Sequence, residues 1–163
     1  MFDKIIRFLA SGLGLGYIPV APGTFGTVLG SVFFYMLRMQ PHTEFVRFVA
    51  VISLVSIVIA HLGEKSFKSK DCQKIVIDEV AGVLVAYAFV PFSFFHLVLG
   101  FVLFRVFDVA KIFPAREAQD RLPGGAGVVG DDLVAGAQAG LILYFLPQMQ
   151  FWAARAFHFF DKI

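Results

Sequence analysis

Charged side chains are scarce in this chain. They make up 16% of its 163 residues, against about a quarter in an ordinary soluble domain. So few charges cannot cover a water-facing surface, which argues against a free-standing soluble enzyme and against a disordered tail. There is little excess of either sign: 14 basic side chains face 12 acidic ones, a net of +2. Such a balance does not steer a polyanion, so nucleic acid is not an expected partner. The single cysteine, Cys72, excludes an intramolecular disulfide and a cysteine-cluster metal site. His42, His61, His96 and His158 stand alone, without metal-ligand or general-base spacing. The opening MFDKIIRFLA is broken by Asp3, Lys4 and Arg7 and lacks the apolar run of a cleavable signal. It reads instead as a short amphipathic helix with Phe2, Ile5, Ile6 and Leu9 on one face.

What the chain has is apolar surface: 58% hydrophobic residues and 21 phenylalanines, with a mean hydropathy of +0.79. Apolar runs cover roughly residues 24–37, 48–62, 75–90, 92–107 and 133–146. Each is shorter than the roughly 20 residues that cross a hydrocarbon core of about 30 Å. Either the helices extend through polar flanks to headgroup depth, or Val80 to Phe104 forms one long span. Pro91, Ser93 and His96 favour a reversal there, and hence a helical hairpin. A barrel would need strands alternating apolar and polar residues, and these runs do not alternate. The expected fold is therefore all-α: a single domain over residues 1–163, a multi-span membrane helical bundle of about four to five short transmembrane helices with an N-terminal amphipathic helix. With five spans and the N-terminus inside, nine cations fall on the cytoplasmic side, among them Lys4, Lys65, Lys74 and Arg116, and four on the other, in keeping with the positive-inside rule.

Four segments with chemical potential fall on that same cytoplasmic face. GLGLGYIPVAPGTFGT, Gly12 to Thr27, has no preceding strand and is not a dinucleotide loop. It reads as a Gly/Pro loop leading to a helix N-terminus at Thr24, either a phosphate site or a loop with unusual dihedrals. DCQKIVIDEVAG places Asp71, Asp78 and Glu79 at the mouth of an apolar run, where acids either complement the helix dipole or bind a cation. In FRVFDVAKIFP, Arg105, Asp108 and Lys111 recur every three residues, as an ion-pair ladder or as a carboxylate between two phosphate clamps. GGAGVVGDDLVAG sets Asp131 and Asp132 after a glycine-rich turn, as caps of the last long span.

Their convergence decides between these readings. Asp71, Asp78, Glu79, Asp108, Asp131 and Asp132 are half of the chain's acids, and grouped at one membrane face they repel unless a divalent cation neutralises them. Oxygen-only ligands suit a hard ion such as Mg²⁺.

PVAPGTFGT, IVIDEVAG, FRVFDVAKIFP and GDDLVAG together resemble, in order and separation, the motifs of the phosphatidylglycerophosphatase A family, over about Gly12 to Gly140. The resemblance implies a magnesium-dependent lipid phosphatase of the bacterial inner membrane, its active site facing the cytoplasm, that converts phosphatidylglycerophosphate to phosphatidylglycerol and phosphate. It implies acids at Asp71, Asp78, Glu79, Asp108, Asp131 and Asp132, basic residues at Lys111 and Arg105, and loop residues Pro22, Gly23, Thr24 and Gly26. Ile112-Phe113 replaces the family's usual Pro-Trp, Cys72 a usual proline or histidine, and Gly130 a large apolar residue. On this reading Asp78, Glu79, Asp131 and Asp132, with Asp71, hold Mg²⁺. Lys111, Arg105 and the backbone N–H groups around Thr24 offset phosphate charge, and Asp108 orients a cation or acts as base. The partners implied are a phospholipid substrate and the membrane, with the oligomeric state left open. The rival readings are a small membrane transporter or ion pathway built on clustered acids, which requires them in mid-span, and a soluble helical bundle that hides its apolar surface by oligomerising. The C-terminal FWAARAFHFFDKI, with Trp152, Phe157 and Phe159 around Arg155, reads as an interfacial segment. Because Cys72 lacks an arginine-bearing phosphate loop, Cys72→Ser is expected to leave phosphate release within twofold of the parent; an inactive variant in the same assay would restore a cysteine nucleophile.

Overall fold

The computed structural model describes residues 2–70 and 72–160, with side chains through Leu146. The elements are α1 (Phe2–Ala10), a 3₁₀ turn (Leu15–Tyr17), α2 (Pro22–Met36), α3 (His42–Phe67), α4 (Ile77–Tyr87), α5 (Phe94–Ala110), α6 (Ala115–Arg121) and α7 (Gly125–Phe160), with no strand among the described residues. The all-helical expectation therefore holds.

Local chemistry sets several helix ends. Pro22 opens α2 at N1, where its missing N–H costs nothing, after Ala21 in a left-handed conformation (φ 49°). Ser93 caps α5, its Oγ accepting from the His96 N–H at 3.0 Å. Lys68 and Lys111 close α3 and α5 in the left-handed region, at φ 54° and 44°. Residues 88–93, containing Pro91, separate α4 from α5, so the hairpin forms and a single span from Val80 to Phe104 does not.

At the centre lies α4. Val80, Ala81, Val83, Leu84, Ala86 and Tyr87 are almost wholly buried, enclosed by α2, α3, α5 and α7, with the largest contact to α7. Glycines let these backbones meet. A Cβ on Gly82 would lie 2.6 Å from Phe104 Cε2 and 2.7 Å from the Asp132 carbonyl oxygen, and one on Gly136 would collide with the Gly82 carbonyl. Small residues at these positions let the helix backbones approach closely. Tyr87 closes the far end of α4. It stacks on Phe34 at 4.2 Å, donates to the Leu97 carbonyl at 2.8 Å and shares a hydrogen bond with Ser31 Oγ at 2.8 Å.

Two helical segments, His42–Phe67 and Gly125–Leu146, are long and apolar enough to cross a membrane. By contrast α4, with 11 residues, extends only about 16 Å. Exposed apolar side chains line α3 (Val51, Leu54, Val58), α5 (Phe94, Val98, Val102) and α2 (Val28, Val32). In α1, Ile6 and Ala10 are buried while Phe2, Ile5 and Phe8 are exposed, and Arg7 Nε donates to Ser66 Oγ at 2.9 Å, tying α1 to the end of α3.

Three local expectations need correction. Thr24 neither caps α2 nor opens it, because Pro22 holds the first position and Thr24 follows in the first turn. Asp131 and Asp132 are not caps either, since α7 starts at Gly125 and carries them in its second turn. Its glycines pack instead of turning: a Cβ on Gly125 would collide with the backbone of Ile57 and His61 in α3. Finally, Arg105, Asp108 and Lys111 do not form one ladder, because the helix stops at Ala110 and Lys111 leaves its face. The close approach of α4 and α7 gives a direct test: Gly136→Val should cost about 2–3 kcal/mol of overpacking, lowering the melting temperature of detergent-solubilised protein by roughly 4–12 °C. An unchanged melting temperature would mean that the two helices are not in backbone contact.

Candidate functional site

One end of the bundle carries a cleft of 560 Å³, lined by Asp78, Glu79, Arg105, Asp108, Lys111, Asp131 and Asp132, together with Pro19, Ala21, Pro22, Gly23, Cys72 and Gln73. Its side chains arrive from four separate elements. Asp78 and Glu79 are the second and third residues of α4, at the positive end of its dipole, where carboxylates are favoured. Arg105 and Asp108 occupy the last turns of α5. Asp131 and Asp132 come from α7, and the backbone of Pro22 and Gly23 from the start of α2.

Within the cleft the charges sort themselves. One carboxylate oxygen from each of Asp78, Glu79 and Asp132 lies within 4.8 Å of the other two, close enough for one metal ion to bind all three. Asp78 and Asp132 are buried and Glu79 half-buried. Asp78 Oδ1, Glu79 Oε2, Asp131 Oδ1 and Asp132 Oδ2 are buried without a hydrogen-bond partner. Buried carboxylate oxygens rarely go unpaired, and a cluster of like charges away from water is costly without a counter-ion. Three converging oxygens and no nitrogen or sulfur donor fit a hard cation such as Mg²⁺.

The cations lie beside this cluster. Arg105 donates to Asp108, both largely buried. Lys111, thrown off the α5 face by its left-handed backbone, donates to Asp131 Oδ2 at 2.8 Å and to Gln119 Oε1 at 2.8 Å. Gly23 brings the α2 loop against both kinds of charge: a Cβ there would collide with Glu79 Oε1 and lie 3.3 Å from Arg105 Nη1. Thr27 Oγ1 donates to the Gly23 carbonyl at 2.9 Å and holds that backbone in place.

Most of the anticipated residues thus meet. Asp78, Glu79, Asp108, Lys111, Arg105, Asp131, Asp132 and Gly23 line one cleft. Thr24 and Gly26 do not line it. A Cβ on Gly26 would lie 2.8 Å from the Val76 carbonyl oxygen, so this glycine serves α2–α4 packing. Asp71 lies outside the described residues, as do the side chains of Trp152, Arg155, Phe157 and Phe159. Sequence reasoning missed Gln119, the second partner of Lys111. It sits on α6, whose only signal is the run of good helix formers in AREAQDR.

The sequence matches the family described as "Phosphatidylglycerophosphatase A" over residues 8–147. It is 32% identical over 141 residues to the protein of that name from Escherichia coli K12, covering 86% of this chain and 82% of the relative. It is also 32% identical over 149 residues to the protein of that name from Haemophilus influenzae, covering 90% of each. A Bacteroides thetaiotaomicron protein provisionally named a phosphatidylinositol-3-phosphatase is 29% identical over 143 residues, covering 83% of this chain and 89% of the relative. No solved structure matches. The chain belongs to the phosphatidylglycerophosphatase A family.

Crowding of unpaired carboxylates makes a prediction independent of activity. In metal-free buffer at neutral pH, Asp132→Asn should raise the melting temperature by roughly 2–4 °C for each kcal/mol of repulsion relieved. A lower melting temperature would show that the carboxylates are mutually compensated.

Proposed function

We propose that this family member is a Mg²⁺-dependent phosphoric monoester hydrolase acting on phosphatidylglycerophosphate, releasing phosphate and leaving phosphatidylglycerol. The observation that carries the reading is the meeting, in one cleft, of three carboxylate oxygens within 4.8 Å of one another with the cations Arg105 and Lys111. Family membership and the names of the Escherichia coli and Haemophilus influenzae relatives support the substrate.

Phosphoryl transfer asks for positioning and charge neutralisation more than for covalent work by the protein. Asp78, Glu79 and Asp132 are the residues that would hold Mg²⁺, and Asp131, whose Oδ1 is also unpartnered, would add negative charge beside them. When bound, the ion supplies positive charge against the phosphate oxygens and acidifies water for attack. Arg105 and Lys111 take the remaining phosphate oxygens. Each is already anchored by a carboxylate, Asp108 and Asp131 respectively, so its charge is aimed before substrate arrives and costs little reorganisation. Gly23, with no side chain, lets the start of α2 pack directly against Glu79 and beside Arg105. Asp108, at hydrogen-bonding range of Arg105, is placed either to hold that guanidinium or to accept the proton of the attacking water.

The surroundings suit a lipid substrate. We place the enzyme in the bacterial inner membrane as a multi-pass protein, with α3 and α7 as full spans and α2 and α5 beside them, and with the cleft at the cytoplasmic headgroup level. The exposed apolar faces of α2, α3 and α5 support this placement, as does the surplus of Lys and Arg in the segments flanking the site. A transporter reading draws less support, since the acids gather in one cleft near helix ends and not along a path through the bundle.

The test is phosphate release by purified protein from phosphatidylglycerophosphate beside phosphatidic acid, with and without Mg²⁺. Release should require Mg²⁺ and stop with EDTA. Asp78→Asn and Asp132→Asn should each lose about 10³-fold, and Lys111→Met about 10²-fold, in the range of removing one transition-state contact. Chelator-resistant turnover, or normal rates in both Asn variants, would refute the metal-centred reading.

A further inference from the structure

We propose that the groove between α2 and α5 binds one acyl chain of the lipid substrate, so that the chain lies along this groove while the phosphate occupies the acidic cleft. The proposal rests on the lipid-phosphatase reading above and adds where the lipid's tail is held.

The two helices run in opposite directions, with the start of α2 and the end of α5 both at the cleft. Between them lies a wholly apolar groove of 430 Å³, walled by Val28, Val32 and Tyr35 of α2 and by Phe94, Val98 and Val102 of α5. All six are exposed, Val98 at 61% and Phe94 at 68%. The spacing places them on facing stripes, one residue per turn, and neither stripe is covered by another described helix.

The groove and the cleft follow one another along the same two helices. Val102 lies three residues before Arg105, and Val28 five residues after Gly23, offsets of about 4.5 and 7.5 Å along the helix axes. From Val102 to Phe94 it runs about 12 Å away from the cleft, most of the roughly 15 Å depth of one leaflet's hydrocarbon. A phosphate held by Arg105 therefore directs its lipid's chain into this groove.

The polar atoms nearby are turned inward. Ser31, small enough to leave room at the groove floor, donates its hydroxyl to the Thr27 carbonyl at 2.9 Å, and its Oγ lies 2.8 Å from the Tyr87 hydroxyl. Tyr87 in turn donates to the Leu97 carbonyl. With those groups satisfied beneath it, the groove offers hydrocarbon contact alone. That suits a methylene chain and gives no purchase to a headgroup.

The experiment uses the full chain in nanodiscs. A phosphatidylglycerophosphate carrying a mid-chain diazirine is compared with phosphatidylcholine carrying the same chain, and photo-labelled peptides are mapped. Labelling within residues 28–35 and 94–102 should be at least fivefold stronger with the phosphate-bearing lipid, and should fall to the phosphatidylcholine level in Val98→Trp, which fills the groove at an exposed position. Val98→Trp should also raise KM at least tenfold for the long-chain substrate while leaving turnover of the soluble deacylated headgroup phosphate unchanged. The same substitution at Val58, on the exposed face of α3, should change neither. Equal labelling by both lipids, labelling concentrated on α3, or an unchanged KM in Val98→Trp would overturn the proposal, and a groove occupied by a second copy of the chain would give the first of these. If the parent protein released no phosphate from either substrate, the phosphatase reading would fail separately, because the labelling comparison does not depend on turnover.

Discussion

The structure depends on a short helix held entirely inside others. With 11 residues, α4 cannot traverse a bilayer, and its polar N-terminus ends where its neighbours continue. Backbone contacts that admit no Cβ fix that depth: Gly82 against Phe104 and the Asp132 carbonyl, Gly30 against Val80 and Val83, and Gly26 against Val76. Asp78 and Glu79 thereby stand beside Asp132, and the same packing that excludes water from them leaves their oxygens without partners. Burying like charges together is unfavourable by itself. Tight helix packing offsets that cost and preorganises a site for a multiply charged ligand.

The neighbouring cations are held by a related economy of position. Lys111 lies just beyond the last turn of α5 in a left-handed conformation that turns its side chain from Asp108 toward α7 and α6. Arg105 stays on the helix and keeps Asp108. The outcome is a cleft with acids converging at its base and two separately anchored cations along its wall, opening at the end of an apolar bundle. On the proposed reading, phosphate chemistry and lipid contact fall to different parts of the same helices: α2 and α5 line the cleft at one end and expose apolar side chains along their lengths.

Much of this was legible in the residues. The apolar runs located α2 to α5 and α7, and Pro91 with Ser93 marked the hairpin. Charge repulsion among six acids pointed to one shared centre, and five of the six meet there; Asp71 falls outside the described residues. Element boundaries near the site were harder to read. Gly125, Gly127 and Gly130 look like part of a turn because each costs about 1 kcal/mol in a helix, yet close contact of Gly125 with Ile57 and His61 of α3, and of Gly127 and Gly130 with Leu122, overrides that local preference. The three-residue spacing of Arg105, Asp108 and Lys111 assumes a helix that continues, and this one ends between the second and third. Gln119 was invisible because its role arises from the fold of α6 against α7 and from no motif. The depth at which α4 ends follows from its neighbours, which periodicity within α4 does not encode.

The most direct measurement of the central claim is binding of Mn²⁺, as a paramagnetic substitute for Mg²⁺, followed by electron paramagnetic resonance of the purified protein. The account predicts a saturable Mn²⁺ signal from a site with oxygen-only ligands, displaced by Mg²⁺ and abolished in both Asp78→Asn and Asp132→Asn. Free Mn²⁺ alone at millimolar concentration, or binding undiminished in both variants, would contradict it.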